Sequence, residues 1–310
     1  MMFSNIRSLI FKLGPETAHN LAIKSLKFNF VPNLSDDNKN DPLFKNKLFG
    51  KDIENPIGMA AGFDKNAEVY NSLFKLGFGF VEVGTITPLK QYGNPKPRVF
   101  RLVEDGALIN RLGFNNNGAK KIVNRIKSDH QTGLLGINIG PNKDTNDREA
   151  DYMECLKIFC DCADYITINI SSPNTENLRN FHDQSKLNDL LKNLEKEKKN
   201  LNSKVPIVIK ISPDINDKEI AKISEVLLSN KIEGVIVSNT SDSTRENLIN
   251  VQKYQKGGLS GKPIMKKSTI LISKFYNSLK GRIKIIGVGG VDSGESAYEK
   301  FLAGANYVQL

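Results

Sequence analysis

The feature that most limits what this chain can fold into is a run that recurs eight times after residue 54. Each run is apolar and rich in β-branched residues, hardly alternates, and most close on Gly, Asn, Ser, Thr or Lys. The runs are NPIGMAAG (55–62), FVEVGT (80–85), LLGINIG (134–140), YITINIS (165–171), PIVIKIS (206–212), GVIVSNT (234–240), IKIIGVGG (283–290) and YVQL (307–310). A strand with one wet face alternates polar and apolar residues. These do not, so each reads as covered on both faces, as in a parallel sheet. Amphipathic helical stretches fill the gaps, such as KNAEVYNSLFKLG (65–77) and ESAYEKFLAGA (295–305), and several end at Gly. Eight strand–helix units over about 250 residues predict an α/β fold, a closed (β/α)8 TIM barrel. A doubly wound sheet would usually have fewer strands and a G-x-G-x-x-G turn after the first, which GMAAGFDK lacks.

Two segments stand outside the repeat. Residues 85–115 form an insertion containing a hairpin-like pair, RVFRLV and ALINRL, joined by EDG. Residues 1–40 precede the barrel as two short amphipathic helices, with Phe3, Ile6, Ile10 and Phe11 on the first and Leu21, Ala22, Leu26 and Phe30 on the second. LGPET separates them as a Gly stop and a Pro start. The division expected is therefore 1–40, helical, and 41–310, the barrel. The sequence stops at Leu310, at the eighth strand, so the expectation is a fragment truncated before its last loop and helix, the alternative being an incomplete barrel.

The net charge of +10 suits anionic ligands or an anionic surface, or reflects a composition rich in Lys and Asn. The lysines are scattered and no basic run alternates with aromatics, so nucleic acid is not the expected partner. Cys155, Cys160 and Cys162 share one helical stretch and no second ligand cluster exists. They read as buried, reduced thiols, and no metal site is expected. No apolar run is long enough to span a bilayer.

The polar residues that close the strands are the candidates for chemistry. They are Ala61–Gly62 with Asp64 and Lys65, then Thr85, Asn138, Asn169 with Ser172 and Asn174, Lys210, Ser238–Asn239–Thr240 and Gly289–Gly290. A barrel gathers all strand ends at one mouth. The amides of Asn138, Asn169, Asn174 and Asn239 offer donors and acceptors without charge, which suits a planar heterocycle. Lys210 suits a Schiff-base nucleophile or a fixed cation beside an anionic ring. GVGG (287–290) sits where barrels commonly bind phosphate. GGLSGKP (257–263) reads as a second Gly-rich loop, or as a plain helix entry.

These motifs, with VEVGTITPLKQYGNPKPRVFRL, INRLGFNN, LGINIGPNKDT, INISSPNTENLR, VIKISPD, SNTS and GVGGVDSG, resemble the class 2, quinone-dependent dihydroorotate dehydrogenases over essentially the whole chain. The resemblance implies an oxidoreductase of pyrimidine biosynthesis that acts on a CH–CH bond. FMN takes hydride from C6 of (S)-dihydroorotate, the C5 proton is lost, orotate forms and a membrane quinone accepts the electrons. It implies Ser172 as the base, with Ser171 the nearby decoy. It implies Lys65, Asn110, Asn169, Asn174, Asn239 and Thr240 around the substrate, beneath a covering loop of Asn110, Arg111, Leu112, Gly113 and Phe114. The cofactor residues implied are Ala61, Gly62, Lys65, Thr85, Asn138, Asn169, Lys210, Ser238, Gly261 and Gly290. Lys210 would stand at the flavin N1–C2=O edge. The family continues past VQ with residues whose amides complete the phosphate site, so weak FMN binding is expected here.

The quinone class also implies a role for residues 1–40: a peripheral anchor on an anionic membrane, the cytoplasmic face of a bacterial inner membrane, that opens an apolar path to the flavin. His19 and Arg101 are candidates for the quinone head group. The plainer reading is that these helices only cap the barrel. Two other functions compete, a Schiff-base aldolase using Lys210 and an inactive FMN-binding barrel.

Overall fold

The structure, a computed structural model, describes residues 10–28, 42–175, 178–243 and 245–310. Thirteen strands occur among them: β1 (Asn46–Leu48), β2 (Lys51–Ile53), β3 (Ile57–Met59), β4 (Phe80–Ile86), β5 (Val99–Leu102), β6 (Ala107–Asn110), β7 (Leu134–Ile139), β8 (Tyr165–Asn169), β9 (Ile207–Lys210), β10 (Gly234–Val237), β11 (Gly258–Gly261), β12 (Lys284–Val288) and β13 (Tyr307–Gln309). The eight expected runs become β3, β4, β7, β8, β9, β10, β12 and β13. These close into a parallel barrel in that order, β13 returning to β3. Every residue of β4, β7, β8, β9 and β10 is buried, the two-sided covering that the unalternated runs imply.

The helices are α1 (Pro15–Lys27), α2 (Tyr70–Lys75), α3 (Ala119–Ser128), α4 (Arg148–Phe159), α5 (Gln184–Asn200), α6 (Asp217–Ser229), α7 (Met265–Leu279) and α8 (Gly294–Leu302). Their starts follow local chemistry. Pro15 opens α1. Asp147, Asp183 and Asn216 accept amide hydrogens at the starts of α4, α5 and α6, and Ser293 does so for α8. The helix expected over 65–77 is shorter, because the buried carboxylate of Asp64 takes the amides of Asn66, Glu68 and Val69 and holds that stretch as turns until Tyr70.

The barrel interior is layered. Its floor is Phe80, Leu134, Tyr165, Val208, Ile236, Ile286 and Tyr307, closed from below by Leu48 and Ile53 of the β1–β2 hairpin, which the strand pattern had not disclosed. Glycines make room for the large rings. A Cβ on Gly136 would lie 2.1 Å from Tyr165 Cζ, and one on Gly58 would lie 2.5 Å from Phe80 Cζ.

The expected hairpin forms as β5 and β6, but GGLSG is not a loop. It is β11, which pairs antiparallel with β6 to complete a three-stranded sheet above the barrel. Phe100, Leu102, Ile109, Leu259 and Ile264 form that sheet's own core. The helix-entry reading of KP holds for Lys262–Ile264, one tight turn before α7. α1 is clamped to this layer by an Arg98–Glu16 ion pair at 2.6 Å and to the turn before α2 by Lys27–Glu68 at 2.6 Å. The expected first helix lies largely outside the described residues, as does Phe30. Of the second, Leu26 packs on the barrel core while Leu21 faces outward. Of the cysteines only Cys155 is fully buried; Cys160 and Cys162 are half-buried, and all three are free. Among the described residues no helix is long and apolar enough to cross a membrane, and no cluster of metal ligands occurs.

Candidate active site

The C-terminal ends of the strands open into one cavity of about 950 Å³. Most residues singled out in the sequence line it: Ala61, Gly62 and Lys65 after β3, Thr85 in β4, Asn110 at the end of β6 with Leu112, Gly113 and Phe114 after it, Asn169, Ser172 and Asn174 at β8, Lys210 at β9, Ser238, Asn239 and Thr240 after β10, Gly261, and Gly289–Gly290 after β12. Two do not. Asn138 lies fully buried beneath the cavity. Arg111 turns outward, donating to Pro97 O at 3.0 Å and Gln255 Oε1 at 2.9 Å while its guanidinium stacks on Phe100.

Register explains why the floor is polar. Asn169 is the direct neighbour of Lys210 across β8 and β9, so both side chains point into the barrel at one level. Below them lies Glu82, wholly buried within the apolar run of β4. Four donors converge on its carboxylate: Asn138 Nδ2 at 2.8 Å, the Tyr165 and Thr167 hydroxyls at 3.0 Å each, and Gln309 Nε2 at 3.2 Å. The Oδ1 of Asn138 faces upward and accepts from Thr85 Oγ1 at 2.6 Å and from Asn169 Nδ2 at 3.2 Å. Asn169 Oδ1 in turn accepts from Ser171 Oγ at 3.0 Å. Sequence reasoning passed over Glu82; its signal was a lone acid inside a strand otherwise built for burial.

Lys210 is 5 % exposed, and its ammonium has no hydrogen-bond or ion-pair partner among the described residues. Burial pushes its pKa down, opposed by the charge of Glu82. A buried cation facing an apolar-walled cavity is favourable chiefly when an electron-rich group sits against it. Gln309, also at the floor, keeps a buried Oε1 without a partner.

The two serines differ. Ser171 Oγ donates to Asn169, accepts from Asn239 Nδ2 at 2.9 Å and does not reach the cavity. Ser172 lines the cavity, and among the described residues its Oγ is engaged only as acceptor of the Asn174 amide at 3.2 Å. Its hydroxyl proton has no acceptor among the described residues.

At the far end Gly261, Gly289 and Gly290 take φ values of +96°, +117° and +75°. A Cβ on Gly290 would stand 2.5 Å from Met265 Cβ, so only glycine lets this loop press against the start of α7, where free backbone amides favour an anion. At the other end Pro15, Ala18, His19 and Ile23 of α1 face Val99, Arg101 and Leu108, a largely apolar mouth. His19 sits edge-on to Phe63 at 5.3 Å. Burial, with the charge of Lys65, lowers its pKa to about 4. Arg101 donates to Leu13 O at 2.8 Å and stacks on Phe11. Lys65, whose Nζ donates to Gly62 O, has its pKa pushed down to about 8 by burial.

A family model described as dihydroorotate dehydrogenase matches residues 43–310. A Rhizobium rhizogenes protein named dihydroorotate dehydrogenase (quinone) is 46% identical over 305 residues, which span 97% of this chain and 84% of that protein. An Idiomarina loihiensis protein of the same name is 45% identical, with 100% and 94% covered. A crystal structure of the Eimeria tenella enzyme in complex with ferulenol superposes with a TM-score of 0.91 at 37% identity, covering 96% of this chain and 85% of that one. Barrel, cup and near-full-length identity agree, and the chain belongs to the dihydroorotate dehydrogenase family, in its quinone-dependent class 2.

Proposed function

We infer that this chain oxidises (S)-dihydroorotate to orotate and passes the electrons to a quinone, the step of pyrimidine biosynthesis for which its curated relatives are named. That family is flavin-dependent, and we assign FMN to the cavity. The observation that carries the assignment is Lys210, an unpartnered buried ammonium at the floor of a cup whose opposite end is a three-glycine cradle. A volume near the upper end of small-molecule sites, about 300–1,000 Å³, leaves room for a flavin and a pyrimidine together.

Bound FMN supplies the hydride acceptor and the path for electrons onward to quinone. The chain's own residues do the rest. Lys210 presents a fixed cation to the ring, where negative charge grows on reduction. Thr85 and Asn169, aligned by Asn138, offer it hydrogen bonds, Ala61, Gly62 and Ser238 pack along it, and Gly261 and Gly290 give amides to the phosphate. Asn110, Asn174, Asn239 and Thr240 hold the pyrimidine, Lys65 meets its carboxylate, and Leu112, Gly113 and Phe114 cover it and exclude water. Ser172 Oγ takes the C5 proton. A serine hydroxyl is a weak base, so it must release its own proton as the substrate proton arrives, and its uncommitted hydrogen permits that.

Residues 1–40 form the membrane-facing segment in this reading. Leu21 of α1 and Phe28, which follows its last turn, are 54% and 73% exposed, which fits a helix lying in the interface of an anionic membrane, on the cytoplasmic face of a bacterial inner membrane. The aldolase and inactive-barrel readings find no support in the family.

The test is the visible spectrum of the purified protein before and after anaerobic dihydroorotate. Bleaching of the flavin band, reversed by a short-chain quinone, is the expected result. A flavin band that dihydroorotate leaves unchanged, or a protein that takes up no flavin, overturns the reading.

A further inference from the structure

Lys300 is fully buried in the last turn of α8, yet no carboxylate among the described residues pairs with it. Its stem lies against Gly287 of β12, where a glycine Cβ would come within 3.3 Å of Lys300 Cδ. Its ammonium donates to two hydroxyls of the first turn of α7, Ser268 Oγ at 3.1 Å and Thr269 Oγ1 at 3.3 Å. Ser268 passes its own proton to the carbonyl of Val288, which also accepts from the Ser238 amide at 3.2 Å. Val288 is the residue from which the Gly289–Gly290 turn departs. Gly289 rests on Ser268, its Cβ position 3.4 Å from Ser268 Oγ.

A methionine or leucine would fill this space without the cost of burying an ammonium. The α8 C-terminus offsets part of that cost, since its carbonyls favour a cation. Two neutral hydroxyls do not supply a counter-charge, and the one strand-end turn this lysine reaches through them is the glycine cradle. Burial also lowers the lysine's pKa, to about 8, opposed by the charge of neighbouring Glu299.

We propose that Lys300 is the concealed cation of the phosphate end of the cavity: a positioning residue that, through Ser268, holds the Val288–Gly289 backbone and places a positive charge behind the cradle for a phosphate monoester in front of it. The proposal rests on the flavin reading above and extends it. It makes the preference for a phosphorylated over an unphosphorylated flavin a property of a side chain that touches neither.

The experiment compares FMN and riboflavin binding, by quenching of flavin fluorescence, in the apo forms of the unsubstituted protein, Lys300→Met and Ser268→Ala. The melting temperature of each apo form is measured alongside. In Lys300→Met the FMN Kd rises about tenfold or more, as expected when a buried charge acts on the phosphate through one hydroxyl and the Val288–Gly289 backbone. Riboflavin affinity stays the same and the apo melting temperature does not fall. Ser268→Ala keeps the charge, loses the link, and shows a smaller loss confined to FMN. Equal weakening of both flavins, or an unchanged FMN preference in either variant, overturns the proposal. An unsubstituted protein that takes neither flavin sinks the cofactor assignment and this inference with it. One that prefers FMN while Lys300→Met keeps the same preference sinks the inference alone.

Discussion

Asn138 donates its amide to Glu82 at 2.8 Å, and so must turn its carbonyl oxygen toward Thr85 and Asn169. A carboxylate only accepts, so one buried acid sets the direction of each hydrogen bond from the barrel interior to the rim. Glu82→Gln keeps the shape and removes that rule, because a glutamine must point a donor at one of the groups now donating to Glu82. The expected outcome is a stability loss of about 1–3 kcal/mol, seen in urea melts, with flavin still bound but its absorption bands shifted and its reduction by dihydroorotate slowed. An unaltered spectrum and rate would mean that the orientation does not matter.

Adjacent serines provide the sharpest test of the chemistry. Ser172→Ala is expected to slow flavin reduction by at least ~100-fold in stopped-flow traces while FMN stays bound. Ser171→Ala breaks contacts to Asn169 and Asn239 and should cost far less. The reverse ranking would move the base to Ser171.

Lys65 gives the reaction an alkaline limb. Burial places its pKa at about 8, so the ammonium proposed to meet the substrate carboxylate is present below that pH and lost above it. The kcat/KM for dihydroorotate should fall tenfold per pH unit beyond about 8, and the limb should vanish in Lys65→Met, at a lower plateau.

His19 makes the docking of α1 acid-sensitive. Its folded pKa of about 4 lies below the ordinary 6.5, because burial and then Lys65 disfavour the imidazolium. Above pH 6.5 both docked and released states hold a neutral ring, and titration contributes nothing. As the pH falls from 6.5 toward 4 the released state takes a proton that the docked state refuses, so docking weakens. Proteolysis within α1 should accelerate over that window, and His19→Gln should remove the acceleration.

The barrel was legible because burial on both faces leaves strands without alternation, and because a barrel must draw its site from strand ends. Asn169, Lys210 and Thr240 could therefore be read off their positions. What stayed hidden depends on partners far along the chain. Glu82 is one letter inside FVEVGT, and its meaning comes from Asn138, Tyr165, Thr167 and Gln309. Lys300 reads as a surface lysine of an amphipathic helix until α7 is laid over it. GGLSG has a loop's composition and becomes a strand only because β6 offers it an edge. Arg111 sits in the right motif, but Phe100 and the backbone of Pro97 hold it outside.

The β1–β2 hairpin gives the molecule two poles with separate duties. With the lower end packed by Leu48 and Ile53, the cavity lies at the opposite end of the strands, and in the reading proposed above pyrimidine and quinone both approach from there and are told apart by the side from which they come. Sequence drift around the stopper is free to alter how long the vessel survives, and leaves untouched what it accepts.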